Sequence, residues 1–298
     1  MVPESPDSSE SYEVLTLLCS PDDSPALEHW IAKSCQIPVL VQEEDPCRIS
    51  FTPPSATPLE RLLLEEALRS MGAWDLQSDS YEKRDWQELW KEQGFKRFTV
   101  GGTLTVVPAW DPDPVDEPSI RIDPQLAFGT GWHETTHCCL ERILEKNAGT
   151  GGTGRVLDFG AGTGILGIAS LRVDPRATLL AIDNDPYAVE ATEENVRLNG
   201  MEGRGTVIEG DGRIISGSKN PPDHFDLVVA NVTGAVLVGM AAILWERVSP
   251  GGWLVCSGVS MEESSQVEDS LRGLGAPFNV YSGHRYNTYC LVKEESRG

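Results

Sequence analysis

The chain has 298 residues, 40% of them hydrophobic and 23% charged, room for one large core or two of ordinary size. Its formal net charge is −22, with 23 acids against 9 bases over residues 1–120 and 23 against 15 over the remainder. Such a surface repels phosphate backbones, which disfavours direct nucleic-acid binding, and it would attract a basic protein; that the acidity serves solubility alone is an equal reading of the charge. No apolar run reaches the ~20 residues of a membrane span, and the acidic, Ser/Pro-rich opening MVPESPDSSESYE has no basic region followed by an apolar one. A cytoplasmic protein, taken as a monomer and without membrane contact, is expected.

In chain order, YEVLTLLCS reads as a strand and SPALEHWIAKS as a short helix capped by Ser24. PVLVQEED and CRISFTP suggest a strand pair, and TPLERLLLEEALRSMG a helix opened by Thr57-Pro58 and closed by Gly72. WDLQSDSYE supplies a fourth strand. The order β-α-β-β-α-β predicts a small ferredoxin-like α+β domain. DWQELWKEQGFKRFTVGGTLTVVPAW follows, with Trp86 and Trp90 four apart on a short helix, read as core, and a hairpin at Gly101-Gly102. These segments together make an N-terminal domain of residues 1–107. PAWDPDPVDEPSIRIDP lacks periodicity and is rich in Pro and Asp, so residues 108–124 read as a linker. From residue 125 to 298 strands and helices alternate: HETTHCCLERILEK, RVLDFG, ILGIASLRVD, ATLLAID, PYAVEATEENVRLNG, FDLVVANV, VLVGMAAILWERV, GGWLVCSGV, EESSQVEDSLRGLG and a terminal hairpin in FNVYSGHRYNTYCLVKE. That alternation predicts an α/β domain with a doubly wound sheet. The seven cysteines, Cys19, Cys35, Cys47, Cys138, Cys139, Cys256 and Cys290, are scattered without a C-x-x-C and read as buried thiols.

VLDFGAGTGILGIAS is the strongest local signal. An apolar strand ends at Asp158, and Gly160, Gly162 and Gly164 alternate before a helix. Glycines there permit a tight turn and let a ligand lie against bare backbone. Asp183 closes the next strand, where a carboxylate can accept from both ribose hydroxyls of an adenosine ligand; the competing reading is a helix cap ahead of Pro186. A dinucleotide motif would need glycine where the chain has Ile165. G-x-G-x-G with an acid two residues before it instead resembles the S-adenosylmethionine-dependent methyltransferases. The resemblance implies that Asp158 suits the methionyl ammonium, directly or through water, and that Asp211 in EGDGR contacts the adenine amine.

HETTH, from His133 to His137, satisfies the H-E-x-x-H spacing of a zinc peptidase. The extended motif would require Gly at 140 and His at 143, where the chain has Leu140 and Ile143, and the β-branched Thr135 and Thr136 suit a helix start better than a helix middle. No metal is therefore expected. IDPQLAFGTGWHETTHCCLERI, with the nucleotide strand about twenty residues on, resembles the F-G-T-G-x-H-x-T-T segment of the ribosomal protein L-eleven methyltransferase family. The matching residues are Phe128, Gly129, Thr130, Gly131, His133, Thr135 and Thr136. The resemblance is good from about Tyr81 to Val292 and rests on element order from Tyr12 to Tyr81.

It implies a class I methyltransferase sheet and S-adenosyl-L-methionine as cofactor, with Phe128, Thr130 and Thr136 in a loop and helix start over that cofactor. A threonine hydroxyl there can bond the methionine carboxylate, while Glu134 and His137 are incidental. It further implies an N-terminal domain that recognises a basic ribosomal protein, and transfer of methyl groups to lysine side-chain or α-amines. Asn231 is the candidate for positioning cofactor or amine, against a role as a strand-end turn residue. His133 either orients the loop or approaches the amine, or has a structural role in which it only bonds backbone. Three departures surround the amine's entry: Asn231-Val232-Thr233-Gly234 where the family reads Asn-Ile-Leu-Ala or similar, Gln125 where glycine is common, and Trp132 where a smaller or polar residue is usual.

Overall fold

The computed structural model describes residues 11–35, 39–42, 46–51, 58–82, 95–115, 118–125, 127, 129, 131, 133–212, 215 and 224–295. The chain divides into two compact units, Met1–Gly94 and Phe95–Gly298.

The first unit comprises β1 (Ser11–Cys19), α1 (Ser24–Cys35), β2 (Val39–Gln42), β3 (Cys47–Phe51), α2 (Pro58–Ser70) and β4 (Trp74–Glu82). Its sheet runs β2-β3-β1-β4 with antiparallel pairing throughout. Leu15, Leu17 and Cys19 alternate along β1 and face Ile49 and Phe51 of β3, Leu27 and Ile31 of α1, and Leu68 of α2. The period of two puts every second residue on one face, and the two helices cover that face. This is the ferredoxin-like sandwich that the element order predicts.

The second unit begins earlier than residue 125. β5 (Phe98–Val100), β6 (Leu104–Pro108) and β7 (Ser119–Ile122) form a three-stranded sheet in the order β5-β6-β7, with β6 and β7 parallel. The division therefore falls at Gly94 rather than 107, and the segment expected to be linker contributes a strand. In SIRI the apolar Ile120 and Ile122 are fully buried and alternate with Ser119 and Arg121. Four residues of alternation are too few to stand out inside a Pro/Asp-rich run. The hairpin at Gly101-Gly102 is present, both glycines at positive φ. The expected helix carrying Trp86 and Trp90 lies outside the described residues.

After α3 (Glu134–Thr150) come β8 (Arg155–Phe159), α4 (Ile165–Val173), β9 (Thr178–Asp183), α5 (Pro186–Leu198), β10 (Gly205–Glu209), β11 (Phe225–Asn231), α6 (Gly234–Glu246), β12 (Val248–Ser260), α7 (Ser264–Arg272), β13 (Phe278–Ser282) and β14 (Tyr286–Val292). They build a seven-stranded sheet in the order β10-β9-β8-β11-β12-β14-β13. Pairing is parallel from β10 to β12, and β14 runs antiparallel to both neighbours. β8 and β11 are buried along most of their length, which is why they read as unbroken apolar runs instead of alternating ones. β10 is a partly exposed edge strand with weak patterning, visible in the sequence chiefly through EGDGR at its end.

Strand order reverses between β8 and β11, and a ligand crevice is expected outside the carboxyl ends of the strands at such a point. Asp158 lies near that end of β8, Asp183 ends β9, Asp211 follows β10, and Asn231 ends β11. The opposite end is closed by tight turns. Gly154 has φ +69, and a Cβ there would overlap the Asp226 carboxylate, which accepts the Arg155 N–H at 2.8 Å. Gly154→Ala should cost about 1–3 kcal/mol of stability, since it adds backbone strain to a clash; chemical denaturation measures the loss, and an unchanged midpoint would show that the turn relaxes freely.

Candidate functional site

The loop after β8 is held open by its glycines. Gly160, Gly162 and Gly164 have φ of +72, +58 and +76, conformations that side chains resist. Gly160 and Ala161 both donate their N–H to the carbonyl of Ile182, at 2.8 and 3.2 Å, which pins the loop to the end of β9. Gly162 N–H donates to Asp183 Oδ2 at 2.9 Å, and Asp185 N–H to Asp183 Oδ1 at 3.0 Å. The cap of α5 is Asp185, whose carboxylate accepts the Tyr187 N–H ahead of a helix opened by Pro186. Asp183 therefore is not the helix cap. Its two oxygens each take one backbone donor and keep capacity for further donors. Burial raises its pKa, against donated bonds from Gly162 and Asp185. Register pairs Asp183 with Glu209, and Gly210 N–H reaches the Asp183 carbonyl at 2.7 Å, so half-buried Asp211 stands at the next strand end.

Asp158 is fully buried. Its Oδ2 accepts the Gly167 N–H at 2.8 Å, while Oδ1 has no hydrogen-bond partner among the described residues. Burial is the main cause of a carboxyl pKa pushed up to about 7; the Gly167 N–H works against it and the nearby Asp183 adds to it. A buried acceptor left without a donor calls for an explanation, and a cationic ligand group would supply one.

Across the strand reversal, Asn231 repeats the pattern. Its Nδ2 donates to Thr136 Oγ1 at 3.0 Å, and its buried Oδ1 has no partner among the described residues. It is not a strand-end turn residue: the amide is committed to the first turn of α3. Thr136 is fully buried there, and a hydroxyl that accepts one bond still has a proton to donate.

The segment before α3 packs onto the glycine loop. Gly129 and Gly131 have φ of +110 and +89. Thr163 Oγ1 donates to the Gly129 carbonyl at 2.6 Å, and a Cβ on Gly131 would lie within 2.5 Å of Phe98 and 3.0 Å of Ile165. Ala127 is buried against Ala188 and Ala191 of α5. Gln125 takes φ +46, the left-handed conformation that explains why glycine suits this position, and its side chain bonds Glu194. Phe128, Thr130 and Trp132 lie outside the described residues.

HETTH is put to other uses. His133 caps α3, its Nδ1 accepting the Thr135 N–H at 3.4 Å and lying 2.7 Å from the Thr135 hydroxyl. Its ring meets Tyr286 edge-on, centroids 4.9 Å apart. Glu134 accepts the N–H of His284 at 2.6 Å and of Arg285 at 2.9 Å, tying the helix start to the β13–β14 turn. A Cβ on Gly283 would overlap that carboxylate, so the turn is shaped around it. His137 faces Glu141 and the ring of Phe98. Among the described residues no group of three or more His, Cys, Asp or Glu is placed to hold a metal. Glu134 and Tyr286 are contributors that sequence reasoning missed. Their partners are 150 or more residues away, with no motif to mark them.

Two outcomes follow. Folded Asp158 keeps its proton up to about pH 7, whereas the unfolded chain releases it near 3.8. The unfolded state binds fewer protons between those values, so this group's stabilisation is whole below pH 3.8 and is lost as pH rises to about 7. Urea titrations from about pH 4 to 8 should show that decline in the ligand-free protein and its absence in Asp158→Asn; parallel curves would clear Asp158 of the effect. Glu134→Ala should lower stability by about 1 kcal/mol through loss of the two bonds to its carboxylate, since water can reach the freed N–H groups. If it instead abolished a zinc-dependent hydrolysis at full stability, the peptidase reading would return.

Comparison with known proteins accords with this geometry. The family described as Ribosomal protein L11 methyltransferase (PrmA) matches residues 48–293. A ribosomal protein L11 methyltransferase of Gloeobacter violaceus is 37% identical over 195 residues, covering 65% of this chain and 58% of the relative. One from Carboxydothermus hydrogenoformans is 33% identical over 269 residues, covering 88% and 83%. The crystal structure of a ribosomal protein L11 methylase from Lactobacillus delbrueckii subsp. bulgaricus superposes with a TM-score of 0.58 at 26% identity, over 67% of this chain and all of the other. The match thus spans under three fifths of the Gloeobacter relative and most of the Carboxydothermus one. The fold is the class I methyltransferase fold, and the chain belongs to the ribosomal protein L11 methyltransferase family.

Proposed function

We propose that the protein transfers methyl groups from S-adenosyl-L-methionine to lysine side-chain or N-terminal amines of ribosomal protein L11. The observation that carries this reading is the pair of buried acceptors without a partner among the described residues, Asp158 Oδ1 and Asn231 Oδ1, on adjacent strands at the reversal of the sheet. Buried acceptors without donors suit a ligand that brings N–H groups of its own. The names of the relatives support the substrate.

When bound, the cofactor supplies a methyl group on a sulfonium. Asp158 would hold the methionyl ammonium of the bound cofactor, Thr136 its carboxylate, Asp183 the ribose hydroxyls and Asp211 the adenine amine. Asn231, fixed by Thr136, presents Oδ1 to the incoming amine and sets its direction of approach. Alignment is the larger part of the catalysis. A lysine with a pKa of ~10.4 is charged at neutrality, and a dry pocket disfavours that charge and helps release the proton to water. The acidic first unit suits a basic ribosomal protein, and the free thiols suit the cytoplasm. Departure from the family at Val232-Thr233, beside Asn231, favours a second reading in which the same chemistry acts on another protein.

Incubation with labelled cofactor and ribosomal proteins, followed by mass analysis, tests the assignment: label on L11 is expected, label on another protein supports the second reading, and none refutes both. Asn231→Ala should lower kcat on the order of 100-fold through misalignment while S-adenosylhomocysteine binding stays within severalfold; the reverse pattern would make Asn231 a cofactor ligand. Asp183→Ala should weaken cofactor binding at least tenfold, ~1.4 kcal/mol, measured by calorimetry.

A further inference from the structure

One buried side chain joins the glycine loop to the segment folded over it. Asn195, on the inner face of α5, is fully buried. Its Oδ1 accepts the Asp123 N–H at 2.8 Å, and its Nδ2 donates to the Asp123 carbonyl at 2.9 Å and to the Thr163 carbonyl at 3.0 Å. Thr163 is the residue between Gly162 and Gly164, and its own hydroxyl reaches back to Gly129. One turn earlier Thr192 donates to the Gly162 carbonyl at 2.8 Å. The glycine loop is thus held from α5 through two successive carbonyls. The covering segment is held at Asp123 by α5 and at Gly129 by the loop itself.

Asn199, one turn later, makes the same reading of backbone without the loop. Its Oδ1 accepts the Arg121 N–H at 2.9 Å, and its Nδ2 donates to the Arg121 carbonyl at 2.7 Å and the Asn195 carbonyl at 2.8 Å. Asn195 holds the residue that follows β7, and Asn199, the C-cap of α5, holds β7 itself at Arg121, but only Asn195 reaches the loop. The helix therefore contains its own control.

We propose that Asn195 is a positioning residue for the methyl donor, setting the separation of the glycine loop from the segment that covers it by bridging Thr163 and Asp123. This rests on the methyltransferase reading. Asn195 acts through Thr163 and Asp123, and its loss leaves the loop and its cover able to shift apart. The cost then appears in donor affinity as well as in stability. For Asn199 the cost appears in stability alone.

The test compares wild type, Asn195→Ala and Asn199→Ala by thermal unfolding without ligand and by calorimetry with S-adenosylhomocysteine. Both variants should unfold at lower temperature than wild type. Asn195→Ala should bind the compound about tenfold more weakly, and Asn199→Ala within about twofold of wild type. Where Asn195→Ala does not fold, Asn195→Leu keeps the side chain's shape and removes its three bonds without burying a charge, so the same weakening is expected of it. Equal affinities for the three proteins, or equal losses in the two alanine variants, would overturn the role of Asn195 and leave the methyltransferase reading standing. Failure of wild type itself to bind would overturn that reading, a distinguishable result.

Discussion

A carboxylate without solvent and with one backbone donor is costly to bury, and Asp158 is such a group. The fold places it near the carboxyl end of β8, where strand order reverses, and then provides the Gly167 N–H but nothing for its second oxygen among the described residues. In the ligand-free protein the group answers by holding its proton towards neutrality. A cation at the same place would reverse that preference, which couples ligand charge to the state of the sheet's first strand. The glycine loop, the carboxylate of Asp183 and the amide of Asn231 are arranged around this one unsatisfied demand.

The second constraint is the cover. Asp123, Gln125, Ala127, Gly129 and Gly131 belong to no helix or strand, yet each is fastened to α5 or to the glycine loop and the start of α4. α3 then continues the segment, and its first turn ties to Asn231 through Thr136 and to the β13–β14 turn through Glu134. The resemblance of HETTH to a zinc motif is a by-product of that job. A helix cap, a clamp and a half-exposed histidine happen to fall at the three positions of the motif, His133, Glu134 and His137.

Much of this was legible in residues close together in the chain. VLDFGAGTG announces a strand, a turn needing positive φ and a helix, because the steric demands are local. Asp183 marks the next strand end for the same reason. The β-α-β-β-α-β order of the first unit could be read because alternation in YEVLTLLCS and amphipathicity in TPLERLLLEEALRSMG are each several residues long. β7 is hidden within a Pro/Asp-rich run, since four alternating residues are a weak signal, and with it the division into compact units after Gly94. Competing roles for Asp183 were unresolvable because Asp183 and Asp185 are both acids ahead of Pro186, and only backbone direction distinguishes cap from strand end.

By itself the sequence determined the alternating strands and helices, the glycine turn, the acids at successive strand ends and the acidic surface, because each depends on neighbours within one element. Only the tertiary structure decided that Glu134 clamps a turn 150 residues away, that Thr136 meets Asn231, and that Asn195 grips both Thr163 and Asp123. Those contacts depend on which strands lie side by side and on the direction of each amide. Neither is written in the spacing of residues along the chain.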